Sequence, residues 1–456
     1  MVEKSNIGLI GLAVMGKNLA RNFAGKGFKT SVYNRSYQKT LDLLANNYDN
    51  LIGFESLTDF IESLERPRKI ILLVKSGKPV DDFIDLLRPL LDEGDIIADC
   101  GNSNWLDTHK RQLELSKSGF DFVGCGISGG EEGALNGPSI MPGGDQKIVE
   151  QLLPILQQAA AKDFKGNPCV TNVGRYASGH FVKMVHNGIE YSMMQAITEV
   201  YDLLRSLSHS NEEIREYFER LNVGYNKSFL LDITIDILKS KSAEGKFLID
   251  IIDQKAGAKG TGKWTVESAM DLGIAVPNIF AGLNARVLSS KTQNFTIEQK
   301  SYSPTTDSAS IGFDTLKSAL ETMFLVSYLQ GIDLIIEANK VHNWSVNISE
   351  VCRIWQGGCI IRSNWLNLIP SLLANESSLS QSIHEYKDEF LSSFTKIQSL
   401  LGNQIPLPVL NATKDYLISV TSNNLPQNLI QAQRDYFGAH TYKIKGKPEI
   451  FTGGWN

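Results

Sequence analysis

Residues 6–33 constrain this chain more than any other stretch. Asn6-Ile7-Gly8-Leu9-Ile10-Gly11 is a short apolar run ending in glycine, and Gly11-Leu12-Ala13-Val14-Met15-Gly16 follows it. A helical pattern then runs through Leu19, Ala20, Phe23 and Ala24, Gly25 and Gly27 punctuate its end, and Thr30-Ser31-Val32-Tyr33 supplies a second strand. Strand, glycine turn, helix and strand together are the context that a dinucleotide fingerprint needs, because the glycines let backbone and helix start approach a pyrophosphate. Ala13 takes the place of the middle glycine, so the pattern is G-x-A-x-x-G. Gly11, Ala13, Val14, Met15 and Gly16 are the predicted cofactor-binding turn.

The end of the second strand selects between cofactors. An NAD enzyme would usually place Asp or Glu there for the ribose 2′-hydroxyl. Here the residues are Asn34-Arg35-Ser36, with Lys39 one helical turn on. A carboxylate repels a 2′-phosphate, whereas guanidinium and hydroxyl groups bind it, so the sequence predicts NADP. The alternative leaves Arg35 as a surface residue of a polar turn.

Further αβ units follow. Lys69-Ile70-Ile71-Leu72-Leu73-Val74 reads as a buried parallel strand, and Lys75-Ser76-Gly77-Lys78 is the loop at its carboxyl end, where doubly wound sheets bind ligands. That places Val74, Lys75 and Ser76 beside the cofactor. Asp95-Ile96-Ile97-Ala98-Asp99 is another strand, followed by the polar turn Cys100-Gly101-Asn102-Ser103-Asn104. Asn102 is either a turn former or a donor to bound ligands. Residues 126–144 carry many glycines interleaved with Ile127, Ile140 and Met141, and read as a packed loop. Its Ser128-Gly129-Gly130 is a candidate cradle for a substrate carboxylate; the alternative is a flexible connection.

At 456 residues, two or three domains are expected. A net charge of -5 and a pI near 5.9 argue against a general nucleic-acid binder. No apolar run approaches the length of a membrane span and no secretory leader is read, so a cytoplasmic protein off the membrane is expected. Cys100, Cys125, Cys169, Cys352 and Cys359 contain no C-x-x-C pair and read as reduced, buried thiols; no metal site is expected.

Beyond about residue 178, helical periodicity replaces strands, over 179–206, 211–220, 229–241, 311–340 and 407–421. The first of these carries the candidate chemistry. Lys183, His186, Asn187 and Glu190 stand at i, i+3, i+4 and i+7 and share one face, while Phe181, Val182, Met184, Val185 and Ile189 are apolar. A largely buried helix lined with an amine, imidazole, amide and carboxyl group is costly unless those groups are used; the bland alternative is a solvated polar face. Ala258-Lys259-Gly260-Thr261-Gly262-Lys263 is a basic, glycine-spaced turn opening a helix, where backbone amides, Lys259 and Thr261 suit a phosphate. Arg286 stands in a mostly apolar context and calls for a buried anion or an intramolecular salt bridge. The stretch 301–310 reads as a loop, and 371–395 shows no chemistry. The terminal cluster 429–442, rich in aromatics with Arg434 and His440, reads as a docked tail.

Taken together, these blocks resemble the 6-phosphogluconate dehydrogenase family over nearly the whole chain, most tightly at 180–191, 259–265 and 429–442. The resemblance implies a Rossmann-like α/β domain (1–178), a large all-α domain (179–428) and a short C-terminal tail (429–456). It implies oxidation and decarboxylation of 6-phosphogluconate with NADP, to ribulose 5-phosphate and CO2, in the oxidative pentose phosphate pathway. Lys183 matches the family's base and Glu190 its acid. Asn102, Ser128, Gly129, Gly130, His186 and Asn187 match contacts to the sugar acid; Tyr191, Lys259, Thr261 and Arg286 match the 6-phosphate site. Arg434 and His440 match tail residues that enter the partner subunit's site, which implies a homodimer. The chain departs from the family pattern at Cys100, at Lys78 and at Ser192-Met193, where Gly-Asp is usual. Two other readings remain: a β-hydroxyacid dehydrogenase for a smaller, unphosphorylated substrate, and a catalytically idle sensor of NADP or sugar phosphate.

Overall fold

A computed structural model describes residues 4–291, 311–374, 376–401 and 405–455; the stretch 301–310 lies outside them. Seven strands form one sheet: β1 Ile7–Ile10, β2 Thr30–Tyr33, β3 Leu51–Phe54, β4 Lys69–Leu72, β5 Ile96–Asp99, β6 Asp121–Ser128 and β7 Ser139–Gly143. Their spatial order is β3-β2-β1-β4-β5-β6-β7, with every pair parallel except β6–β7. The winding reverses between β1 and β4, and the crevice beyond the carboxyl ends of those strands is where such sheets take ligands. Alternation along the strands feeds a separate core on each face. Leu9, Ile71 and Ala98 pack on one side, and Ile10, Ile70, Leu72 and Ile97 pack on the other.

Three helices of this half position the site: α1 Val14–Gly25, α2 Tyr37–Leu44 and α3 Trp105–Ser116. The second half is helical, and the elements that matter are α4 Ser178–Ser206, α5 Thr261–Asp271, α6 Pro277–Ser289, α7 Phe313–His342, α8 Pro408–Val420 and α9 Gln427–Gly438. The 29-residue α4 is the axle of the molecule. It packs on β6, β7 and α3 at its start, and on α5, α6, α7 and α8 further along. By length and composition α7 is apolar enough to cross a membrane, with a mean hydropathy of 1.4 over 18 residues, against the expectation of no such run. That window is 78% buried, so α7 is a core helix flanking α4.

The glycine-rich stretch 126–144 is not a packed loop, as expected, but strand, short helix (Gly130–Asn136) and strand. Glycine weakens strand propensity, yet here it is required by close approach. A Cβ at Gly126 would sit 2.3 Å from Lys183 Cβ, one at Gly143 would sit 2.2 Å from Gly179 N, and one at Gly179 would sit 2.1 Å from Gly124 O. The start of α4 is therefore pressed directly on the backbone of β6 and β7.

Residues 429–455 leave most of their side chains exposed within this chain. Strands β8 Tyr442–Lys443 and β9 Ile450–Phe451 form a small hairpin against α9. Leu429, Ile430, Tyr436 and Phe437 are all more than half exposed.

Candidate active site

The polar face of α4 is buried rather than solvated. Lys183 is 6% exposed, and its Nζ lies 3.3 Å from His186 Nδ1. Burial lowers the amine from 10.5 to about 8, against the opposing pull of Glu190 and Cys359. His186 is fully buried, edge-on to Trp355, and is held well below its ordinary value by burial and then by the Lys183 charge. The imidazole is thus neutral. Nδ1 lies 3.0 Å from Asn187 Oδ1 and 3.3 Å from Lys183 Nζ, and Nε2 lies 3.1 Å from Ser128 Oγ. The 3.9 Å approach of Glu190 to His186 Nδ1 is therefore no ion pair.

Glu190 is raised above 4.5, because burial outweighs the positive charges of Lys183, Arg286 and Lys259. One helix face thus holds a depressed amine and an elevated carboxyl group, the division expected of a base and an acid working near neutrality. Asn187 extends the face by donating to Thr261 Oγ1 at 3.2 Å. Thr261 opens α5 after Gly260, whose φ of +95° supplies the turn, and no side chain caps that helix. Lys259 is exposed just before it. The Arg286 guanidinium lies 3.5 Å over the Tyr191 ring and donates to Gly257 O at 3.2 Å. It is half-buried and makes no ion pair among the described residues.

At the sheet crevice, Gly11 has φ +102°, and a Cβ there would meet Leu73 O at 2.5 Å. A Cβ at Gly16 would sit 1.8 Å from Gly11 O. No side chain caps α1, whose first turn opens with Ala13 and Val14 exposed and Met15 half-buried. This is a cradle for an anionic group. Asn34 accepts from Leu12 N at 3.0 Å and donates to Ser36 O at 2.9 Å, holding the two ends of the crevice in register. Arg35, Ser36 and Lys39 are exposed beside it. A cleft of about 460 Å3 there is lined by Leu12, Ala13, Val14, Lys39 and two cations not singled out in the sequence, Lys17 and Arg21. Their i, i+4 spacing on α1 was the available signal. Val74 and Ser76 are half-buried, Lys75 and Asn102 exposed. A Cβ at Gly101 would sit 3.1 Å from Val74 O, so the loops after β4 and β5 touch.

Beneath those loops lies a network that sequence reasoning missed. Asp99, fully buried, accepts from Gly101 N at 3.0 Å and Ser103 Oγ at 2.5 Å. Arg111 of α3 bonds Asp81 Oδ1 at 2.7 Å and Gly77 O at 3.2 Å, and lies 3.8 Å from Asp99. Thr108, also of α3, meets His180 Nδ1 at 2.6 Å. These contacts tie both ligand-side loops to the start of α4. The departure at Ser192-Met193 is accounted for by packing: Ser192 bonds Ser327 of α7 at 2.7 Å, and Met193 is core. Cys100 is buried, like the other four cysteines.

Lys183, His186, Asn187, Glu190, Ser128, Thr261, Tyr191 and Arg286 are therefore brought to one place, with Gly129 half-buried and Gly130 exposed at its rim. Arg434 and His440 are not: both are exposed, Arg434 bonds Gln431 at 3.0 Å, and His440 stands edge-on to Phe437.

Comparison with known proteins matches residues 6–174 to the NAD binding domain of 6-phosphogluconate dehydrogenase. Residues 179–455 match the 6-phosphogluconate dehydrogenase C-terminal domain. The decarboxylating 6-phosphogluconate dehydrogenase of Klebsiella pneumoniae is 44% identical over 468 residues, covering 100% of both chains. That of Escherichia coli is 43% identical over 467 residues with the same coverage. Among solved structures, Plasmodium falciparum 6-phosphogluconate dehydrogenase, studied in apo form and with NADP+ and 6-phosphogluconate, superposes with a TM-score of 0.91. It is 38% identical and covers 99% of this chain and 100% of its own.

Proposed function

The chain belongs to the 6-phosphogluconate dehydrogenase family, and on that premise we propose roles for the residues gathered on α4. The protein is an NADP-dependent decarboxylating 6-phosphogluconate dehydrogenase of the oxidative pentose phosphate pathway. It converts 6-phospho-D-gluconate to D-ribulose 5-phosphate and CO2. NADP, when bound, accepts the hydride from C3. One observation carries the assignment of roles: Lys183 is a buried amine brought down to about 8, on the same helix face as a carboxyl group shifted upward.

Neutral Lys183 takes the proton of the C3 hydroxyl as the hydride leaves. The resulting ammonium then faces the C3 ketone. When the bond between C1 and C2 breaks, its electron pair becomes the C2–C3 double bond and charge develops on the C3 oxygen, where Lys183 returns its proton. Glu190, kept as an acid by burial, protonates the carbon that becomes C1 of the product. Ser128, His186 and Asn187 orient the sugar acid with Gly129, Gly130 and Asn102. Tyr191, Lys259, Thr261 and Arg286 hold the 6-phosphate, which the uncapped start of α5 favours.

In the crevice, Gly11, Ala13, Val14, Met15 and Gly16 cradle the pyrophosphate, and Val74, Lys75, Ser76 and Asn102 line the nicotinamide side. Asn34, Arg35, Ser36 and Lys39 address the 2′-phosphate. Arg35→Ala is expected to weaken NADP by about 10- to 100-fold while NAD changes little, as the loss of one charge-assisted contact implies. Parallel titrations with both cofactors check this, and equal losses would remove Arg35 from that role. Glu190→Gln is expected to leave hydride transfer measurable but to slow isotope exchange at C1 of ribulose 5-phosphate by about 100-fold or more. Unchanged exchange would exclude Glu190 as the acid. The overall assignment is tested by NADPH formation with 6-phosphogluconate beside unphosphorylated gluconate; a preference for gluconate would sink the phosphate site.

Within this reading the chain divides into the cofactor domain 1–178, the helical domain 179–428 and the tail 429–456, and works as a cytoplasmic homodimer. Arg434 and His440 reach the partner's substrate. The exposed apolar side chains of Leu429, Ile430, Tyr436 and Phe437 support a tail that is covered by another subunit.

A further inference from the structure

The tail has few means of holding its own shape. Its helix and two-residue strands leave most side chains exposed, yet Asp435 is only 3% exposed. Both carboxylate oxygens are filled. Oδ1 accepts from Thr441 N at 2.7 Å and Thr452 Oγ1 at 2.8 Å. Oδ2 accepts from Gly453 N at 2.8 Å and Trp455 Nε1 at 2.9 Å. Four donors, spread over the turn after α9 and the segment after β9, thus converge on one side chain, and bonds to an ionised acceptor are the strong kind.

The backbone around His440 shows what this knot holds. Ala439 has φ +51° and Thr441 has φ +63°, so His440 is flanked by two non-glycine residues in the left-handed region. Such residues persist only where surrounding contacts fix them. Here the contacts come from Asp435 on both sides: its backbone carbonyl accepts from Ala439 N at 2.8 Å, and its side chain accepts from Thr441 N. Gln431 adds a bond to Thr441 O. Arg434 is the residue immediately before the knot, on the same helix.

We infer that Asp435 is a positioning residue for the reaction, fastening the tail so that Arg434 and His440 reach the substrate as one preformed unit. This rests on the proposed entry of the tail into the partner's site. The carboxylate touches no substrate; it removes the ordering cost that a loose tail would bring to each binding event. Its ionisation is secure, because four hydrogen bonds outweigh the cost of burial and hold the group at about 2. The knot therefore stays closed across the physiological range.

The test uses the full-length enzyme and steady-state kinetics with both substrates. Asp435→Asn leaves a single oxygen for four donors. It is expected to raise KM for 6-phosphogluconate about 10-fold or more while KM for NADP stays within about 2-fold, since only the tail's contribution is loosened. Trp455→Phe removes one donor while keeping a ring, and is expected to move the same KM in the same direction by less. It keeps the test available if Asp435→Asn does not fold. Arg434→Ala and His440→Ala report on the tail itself. If those two raise KM for 6-phosphogluconate and the Asp435 and Trp455 variants do not, the positioning role is overturned while the tail reading stands. If none of the four moves that KM, both fail. A parallel fall in affinity for both substrates, with a lowered melting temperature of the whole enzyme, would make Asp435 merely structural and also overturn the proposal.

Discussion

Lys183→Met is expected to lower kcat by at least about 1000-fold and, at pH 7, to make the protein more stable. The loss follows from removing the amine proposed to take the C3 proton and return it, a contribution of about 100- to 10,000-fold for a positioned base. The gain follows from the same burial that tunes it. The amine binds its proton less well folded, at about 8, than unfolded, near 10.5. Between those values the unfolded chain holds more protons, so stability rises with pH through that window, and below pH 8 the full cost of burying the ammonium is present. That cost is on the order of 3 kcal/mol. Methionine keeps an unbranched side chain only one atom shorter and without the charge, so the variant's melting temperature at pH 7 should exceed that of the parent. Activity lost together with stability would instead identify a packing lesion. In the parent, kcat/KM for 6-phosphogluconate should rise with pH and level off above about 8 as Lys183 loses its proton. A flat profile across pH 7–9 would contradict a free-enzyme base of that kind.

The second large effect concerns the seam between sheet and helix. Gly179→Ala is expected to destabilise the protein by about 3 kcal/mol or to prevent folding, because the added methyl would sit 2.1 Å from Gly124 O and 2.5 Å from Met141 O. Both obstacles are main chain and cannot rotate aside. Gly25→Ala is the control: a Cβ there meets nothing within 4 Å, so helix propensity should make it neutral or stabilising by about 0.5–1 kcal/mol. Urea unfolding of the two variants beside the parent decides the matter. Equal midpoints would mean that the seam yields far more readily than its contacts imply.

The outline of the fold was legible where one period dominates. The opening βαβ unit and the buried runs at 69–74 and 95–99 became strands β1, β2, β4 and β5. The helical stretch 179–206 became α4 almost to the residue. Strand β7 and the far half of β6 were hidden because Gly124, Gly126 and Gly143 answer to α4, which lies far along the chain, rather than to strand propensity. Helix Glu376–Leu401 was hidden by its polarity, and α6 by the lack of a strong polar face. In the site, the four polar residues of α4 were visible as a stripe, and Ser128 and Thr261 as parts of glycine-rich turns. Their burial was not visible, and burial is what separates a working face from a solvated one. Nor was the set of Asp99, Thr108, Arg111 and His180, each ordinary in its own neighbourhood and joined only by the fold. Ser192 looked like an anomaly until its partner, 135 residues away, was in view.

One feature of α4 bears on which face of the enediol is protonated. Lys183 and Glu190 ride the same unbroken helix about two turns apart, so no movement of loops or sheet alters their spacing. The enediol carbon that awaits its proton is planar and has two faces that solvent would serve equally. The proposed acid, carried on a fixed rail with the substrate held at its opposite end by the proposed phosphate site, would address one of them. On this geometry the incoming proton takes one fixed position of the two hydrogens on C1, a choice that isotopically labelled solvent would reveal.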